Sequence, residues 1–141
     1  MEQSKYLSLD TIHALATPLG GALAVIRMSG PGAIKSLEHL HGESRAEFSA
    51  RAPREIFRLK ISAENPVHEF EVIDDAMAVF FQAPKSQTGE DLVELFIHGG
   101  PVVAERVLRA LEDLGSRQAL PGEFSFRAVR NGKMSITAAQ A

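Results

Sequence analysis

A carboxylate stands inside an apolar strand pattern of this sequence. Residues 93–97 (VELFI) are typical of a buried strand, yet they include Glu94, and they lie between an acidic turn at 89–91 and a His-Gly-Gly corner at 98–100. Such a carboxylate either faces solvent on a half-exposed sheet or accepts hydrogen bonds from the paired N–H groups of a ligand. The residue types alone leave both interpretations open.

Four further positions have side chains or backbones suited to binding. Arg27 ends an apolar segment and either extends to solvent or meets an anion, and Lys133 follows Asn131-Gly132, where a solvated turn lysine is the simpler interpretation. His98 and Gly99 form either an ordinary strand-to-helix corner or a place where a ligand approaches a helix N-terminus. No residue is assigned a catalytic role from these patterns.

Asp74 and Asp75 interrupt another apolar run, at residues 70–81. Paired carboxylates can serve acid–base chemistry, but a β-bulge that turns toward water also explains polar residues within a strand. We expect the bulge.

Composition excludes several classes of protein. The chain has 141 residues, 45% of them hydrophobic, which fits a single domain with its own core. A net charge of −3 argues against a general nucleic-acid surface, so an anionic ligand must meet local cations. No cysteine is present, and the five histidines show no metal-ligand spacing, so we predict no metal site. Without a signal-like or membrane-spanning run, a soluble cytoplasmic protein is expected.

The periodicity of apolar residues predicts the elements that position these side chains. Strands are predicted at residues 11–16, 22–27, 55–61, 70–81 and 93–97, the first two as a hairpin and the third with Phe57, Leu59 and Ile61 facing the core. Helices are predicted at 33–40, from Pro101 to a stop at Gly115, before the Asn131-Gly132 turn, and from a capping box at Thr137 and Gln140. No regular βαβ period occurs, so the fold class is α+β with a mixed, largely antiparallel sheet and flanking helices.

Three blocks of this sequence resemble the start of the MnmE (TrmE) tRNA modification GTPases. They are DTIHALATPLGGALAVIRMSGP, TGEDLVELFIHGGP and PGEFSFRAVRNGK, in the order of that family. The resemblance implies that residues 1–141 are one N-terminal domain, cut from a longer protein, with a fold like that of the aminomethyltransferases. It also implies binding of 5-formyl- or 5,10-methylene-tetrahydrofolate, and a homodimer.

In that family the whole protein works with the MnmG flavoprotein on carbon 5 of the wobble uridine of tRNA. Its further domains use GTP, magnesium and potassium. The present sequence has no G-x-x-x-x-G-K-[ST] phosphate loop, so we predict that this chain binds no GTP.

The resemblance carries the family's folate contacts onto Arg27, Glu94 and Lys133, with His98 and Gly99 as the floor of the site. Two segments depart from the family pattern: the loop at 17–22 is one residue shorter and lacks an arginine, and residues 134–141 lack the family's acids. The alternative function is a free-standing folate-dependent aminomethyl transferase, which needs an acid–base residue. In this sequence the candidates for that role are Glu90, Asp91 and His98.

Overall fold

A computed structural model describes residues 8–41 and 51–137 of the chain. The elements within these ranges are β1 (Ile12–Leu15), β2 (Leu23–Ser29), α1 (Ala33–His41), β3 (Phe57–Glu64), β4 (Phe70–Phe81), β5 (Leu92–His98), α2 (Pro101–Asp113), β6 (Arg117–Gln118) and α3 (Glu123–Arg130).

The strands form one mixed sheet in the order β3-β4-β5-β2-β1-β6. Every neighbouring pair is antiparallel except β1 and β6, which run parallel. The predicted fold class and the predicted β1–β2 hairpin are therefore confirmed. The helix predicted from Pro101 is also confirmed, because the proline occupies the first turn, where a missing N–H costs no helical hydrogen bond.

The core lies between one face of the sheet and the helices α1 and α2. Alternate residues of the central strands point into it, as the period of two requires, and Phe57, Leu59 and Ile61 are buried as predicted. We call the side of the sheet that lines this core the core face, and we call the opposite side the outer face. No helix within the described ranges is long and apolar enough to cross a membrane.

The structure corrects two details of the sequence interpretation. The bulge expected near Asp74 and Asp75 is present, because the register of β3 against β4 shifts between Ile61 and Ser62 and leaves Ile73 as the extra residue. The expectation that Asp74 faces water there is wrong, since its side chain is only 8% exposed and binds His98. The two-residue strand β6 was not predicted, because two residues show no periodicity. The predicted helix from Thr137 extends into 138–141, outside the described residues.

Candidate functional site

Arg27 and Glu94 face each other across the two central strands. Ala24, Ile26 and Met28 of β2 are in the core, so Arg27 between them projects from the outer face. Glu94 has the same position in β5, and the antiparallel register makes the two residues direct partners. The Arg27 Nη2 atom donates a hydrogen bond to Glu94 Oε2 at 3.0 Å. Glu94 therefore lies on the outer face with an arginine as its partner.

This pair is partly open to solvent. The Arg27 side chain is 29% exposed and that of Glu94 is 21% exposed. Among the described residues, Arg27 is the one hydrogen-bond partner of the Glu94 carboxylate, which leaves acceptor capacity, since a carboxylate can accept about four bonds. The Arg27 Nε atom is buried without a partner in that part of the chain, beside Phe124 of α3, whose ring centroid is 6.0 Å from the guanidinium.

Lys133 lies in the turn that ends α3. Its backbone N–H donates to the carbonyl of Ala128 at 2.7 Å, and the turn packs against the loop that leads into β5. Within residues 8–41 and 51–137, the exposed Lys133 ammonium has no ion-pair partner. The structure therefore brings a cation, with no ion-pair partner among the described residues, to the loop that precedes Glu94.

His98 occupies the outer face four residues after Glu94, which corresponds to about 13 Å along an extended strand. Its Nδ1 atom is 2.6 Å from Asp74 Oδ1, and its backbone N–H donates to Asp74 Oδ2 at 3.0 Å. The nearly buried Asp74 thereby orients an imidazole that remains mostly exposed. His98 is separate from the Arg27–Glu94 pair, although both lie on the same face.

Gly99 has no room for a side chain, because the backbone of a neighbouring loop passes close to it. A Cβ atom at this position would lie 2.1 Å from the carbonyl oxygen of Gly21, in the loop between β1 and β2. The Gly99 N–H also donates to the carbonyl of Ala22. The group that approaches Gly99 closely is therefore the backbone of the loop between β1 and β2.

The acid–base candidates of the alternative function are engaged in structural bonds. Glu90 accepts hydrogen bonds from Ser29 Oγ at 2.8 Å, from Arg127 Nη1 at 3.1 Å and from Arg130 Nη2 at 3.4 Å. Asp91 Oδ1 accepts the backbone N–H of Ala83 at 2.8 Å. These contacts hold both carboxylates in place, so the geometry does not favour proton transfer by either.

A buried ion network beneath α3 was missed by the sequence interpretation. Arg127 is 0% exposed, and its guanidinium donates to Asp10, Glu90 and Glu123. Glu123 also accepts two bonds from Arg117, which binds Asp10 in turn. The one signal in the sequence was the i,i+4 spacing of Glu123 and Arg127 on a short helix.

The network shifts the pKa values of its carboxyl groups. Burial alone would raise the pKa of Asp10, but hydrogen bonds from Arg117, Ser8 and Arg127 outweigh it and lower the pKa from 3.8 to about 2. The pKa of Glu123 is also lowered, because the bonds from Arg117 and from the Leu120 N–H outweigh its burial. Both groups are therefore held as anions.

The histidines do not assemble a metal site. His13 is buried and bonded to Ser116, with Glu112 beside it, and His68 pairs with Glu64. Across the described ranges, no group of three or more histidine or acidic side chains is arranged to hold an ion.

A family model described as the N-terminus of the GTP-binding protein TrmE matches residues 11–133. The chain belongs to this family. The matched range contains Arg27, Glu94 and Lys133, and it extends the resemblance noted in the three sequence blocks over most of the chain.

Curated relatives of this TrmE-family chain share the name tRNA modification GTPase MnmE. The protein from Thermotoga petrophila is 42% identical over 135 residues, which cover 94% of this chain and 28% of the relative. The protein from Rhodospirillum rubrum is 46% identical over 142 residues, which cover 96% of this chain and 31% of the relative. The chain thus spans less than a third of the length of these relatives.

Proposed function

We propose that this chain is the reduced-folate-binding domain of a tRNA modification GTPase. The observation that carries the proposal is the Arg27–Glu94 pair, held opposite each other on the outer face and still partly open. The family membership supports it, and the folate contacts expected from the resemblance fall on these residues. The proposal includes cytoplasmic location and a role in modifying carbon 5 of the wobble uridine.

The donor pattern of a pterin matches the open carboxylate. A pterin ring presents its amino group and a ring N–H as a planar fork, and a carboxylate accepts such a fork through two charge-assisted hydrogen bonds. Arg27 holds Glu94 in place through one oxygen, so acceptor sites remain for a ligand.

Lys133 and Arg27 supply the positive charge that an anionic ligand needs on this acidic chain. The glutamate tail of folate carries carboxylates, and a formyl oxygen is also an acceptor. Because the Lys133 ammonium has no ion-pair partner among the described residues, binding such an anion displaces no protein contact.

Titration with 5-formyl-tetrahydrofolate, followed by calorimetry, tests the proposal. The wild-type chain is expected to bind. Replacement Glu94→Gln should weaken binding by about 2–5 kcal/mol, roughly thirty- to several-thousand-fold, because one acceptor oxygen becomes a donor facing the pterin N–H groups. Lys133→Ala should cost less, about 0.5–1.5 kcal/mol, since its ammonium is exposed.

Two matched variants control this experiment. Glu105→Gln alters a carboxylate that also pairs with an arginine, on the helix layer, and Lys35→Ala removes an exposed lysine of α1. Neither should change the affinity. If Glu94→Gln bound the folate as tightly as the wild type, Glu94 would be an ordinary strand residue and the proposed site would be wrong.

We also propose that the chain forms a homodimer through its outer face. Phe80 lies in the core and so adds nothing to the exposed apolar surface of the sheet. The outer face nevertheless aligns Met77, Phe96 and Val25 across three strands, and Met77 is 47% exposed. Exposed apolar strips of this kind favour a partner surface.

Light scattering at tens of micromolar protein checks the dimer. We expect twice the mass of the chain for the wild type and a shift toward monomer for Met77→Glu, which places a charge in the strip. A monomeric wild type would reject the dimer without affecting the folate proposal. Contacts with the MnmG flavoprotein, with tRNA and with GTP are proposed for the full-length relatives and not for this domain alone.

A further inference from the structure

Two turns meet beside the proposed folate site. One contains Thr88 and Gly89, before β5, and the other contains Asn131, Gly132 and Lys133, after α3. The Asn131 side-chain Nδ2 donates a hydrogen bond to the carbonyl of Thr88 at 2.8 Å. Since Thr88 is buried, its carbonyl is a fixed anchor for the second turn.

Gly89 allows the two turns to approach each other closely, because it has no side chain. Its φ of +82° belongs to the left-handed region, and a Cβ added there would lie 2.7 Å from Asn131 Cβ and 3.4 Å from Lys133 Cγ. The stems of Asn131 and Lys133 therefore occupy the space above the glycine. The position of Lys133 depends on the same loop that Asn131 binds.

The loop is in turn attached to both strands of the site. Thr88 Oγ1 is 2.7 Å from Ser29 Oγ, and Ser29 Oγ donates to Glu90 Oε1 at 2.8 Å. Ser29 follows Arg27 by two residues in β2, and Glu90 precedes Glu94 by four. One continuous set of hydrogen bonds thus runs from the end of β2, through the loop before β5, to the turn that carries Lys133.

We propose that Asn131 is a positioning residue for the anion site at Lys133. It touches no ligand itself, and it holds the Lys133 turn against Thr88 and Gly89 so that the ammonium stays over the loop that leads into β5 and Glu94. The inference rests on the proposed folate function and adds to it a specific residue outside the set expected from the family resemblance.

The test is a double-mutant cycle with 5-formyl-tetrahydrofolate as the probe. Asn131→Ala should weaken binding about 3- to 10-fold in the wild-type background, within the loss expected from removing Lys133 itself. In the Lys133→Ala background it should change the affinity less than about twofold, because the group that it positions is gone. Combined with Glu94→Gln, its effect should be additive.

Controls separate positioning from general stability. Asn65→Ala removes a comparable turn residue, whose side chain accepts the backbone N–H groups of Val67 and Glu69 far from the site, and should leave folate affinity unchanged. Asn131→Leu keeps the approximate size of the side chain without its donor and without adding a charge, and replaces Asn131→Ala if that variant is too unstable to titrate.

The outcomes are distinct. A wild-type chain that binds no folate overturns the proposed function and this inference together. A wild type that binds, with Asn131→Ala binding equally well, overturns the positioning role alone. The positioning role is also overturned if Asn131→Ala lowers folate affinity equally in the presence and absence of the Lys133 side chain, because Asn131 would then act independently of Lys133.

Discussion

Two arginine–glutamate groups on the outer side of the sheet have opposite surroundings. Arg127 of α3 is fully buried and is bound by three acidic residues, Asp10, Glu90 and Glu123. Arg27 is partly exposed and is bound by one, Glu94. Both groups combine the same types of ion, so residue type alone cannot explain what each does.

The difference lies in how completely the protein satisfies each group. A buried charge is tolerated only when paired and hydrogen-bonded, and the Arg127 network meets that condition almost entirely from within the chain. The Arg27–Glu94 pair is partly exposed, and its carboxylate keeps acceptor capacity. A saturated ion group holds elements together, whereas an open one can bind a ligand.

The largest expected effect is that of removing the buried arginine. Arg127→Ala should lower the free energy of unfolding by about 3–5 kcal/mol, because it removes the buried cation that Asp10, Glu90 and Glu123 share. Arg27→Ala should cost about 1 kcal/mol or less, since water replaces the lost contact at an exposed pair. Urea unfolding measures both. Equal losses for the two variants would contradict the distinction between the groups.

Glu90 and Glu94 allow a more conservative comparison, with a smaller expected difference in stability. Glu90→Gln should lower the free energy of unfolding by about 1.5–3 kcal/mol, because Ser29, Arg127 and Arg130 all bind the charged carboxylate of Glu90. Glu94→Gln should change stability by about 0–1 kcal/mol and leave the Tm near that of the wild type. Thermal unfolding of the two variants decides the point, and a Tm that falls more for Glu94→Gln would reverse our assignment.

The smallest expected effect concerns acid stability. The pKa of Asp10 is about 2 in the folded chain, compared with 3.8 ordinarily, so the folded state favours the anion. This contribution is present above pH 4 and disappears as the pH falls toward 2; solvent exposure limits it to about 1 kcal/mol. The lowered pKa of Glu123 acts in the same direction.

Urea unfolding at several pH values between 5 and 2 measures this loss. Asp10→Asn should show a shallower fall in stability than the wild type, because its side chain cannot titrate. An identical slope for both proteins would mean that Asp10 does not contribute through its charge.

Local patterns were sufficient to predict most elements of this fold. Alternating residues in β3 place Phe57, Leu59 and Ile61 in the core, and the proline at 101 marks the start of α2. These predictions succeed because strand and helix periods depend on neighbouring residues. The sequence blocks also identified the family correctly, and they selected Arg27, Glu94 and Lys133 as candidates.

Only the tertiary structure decided how those residues meet. Arg27 and Glu94 are 67 positions apart, and their pairing depends on the register of β2 against β5, which no local pattern specifies. The burial of Arg127 and the anchoring of Lys133 by Asn131 likewise join segments distant in sequence. The sequence by itself determined the elements and the residue types available for binding. Long-range packing decided which charges are saturated and which remain open, because solvent access and partner count are properties of the assembled sheet and helices.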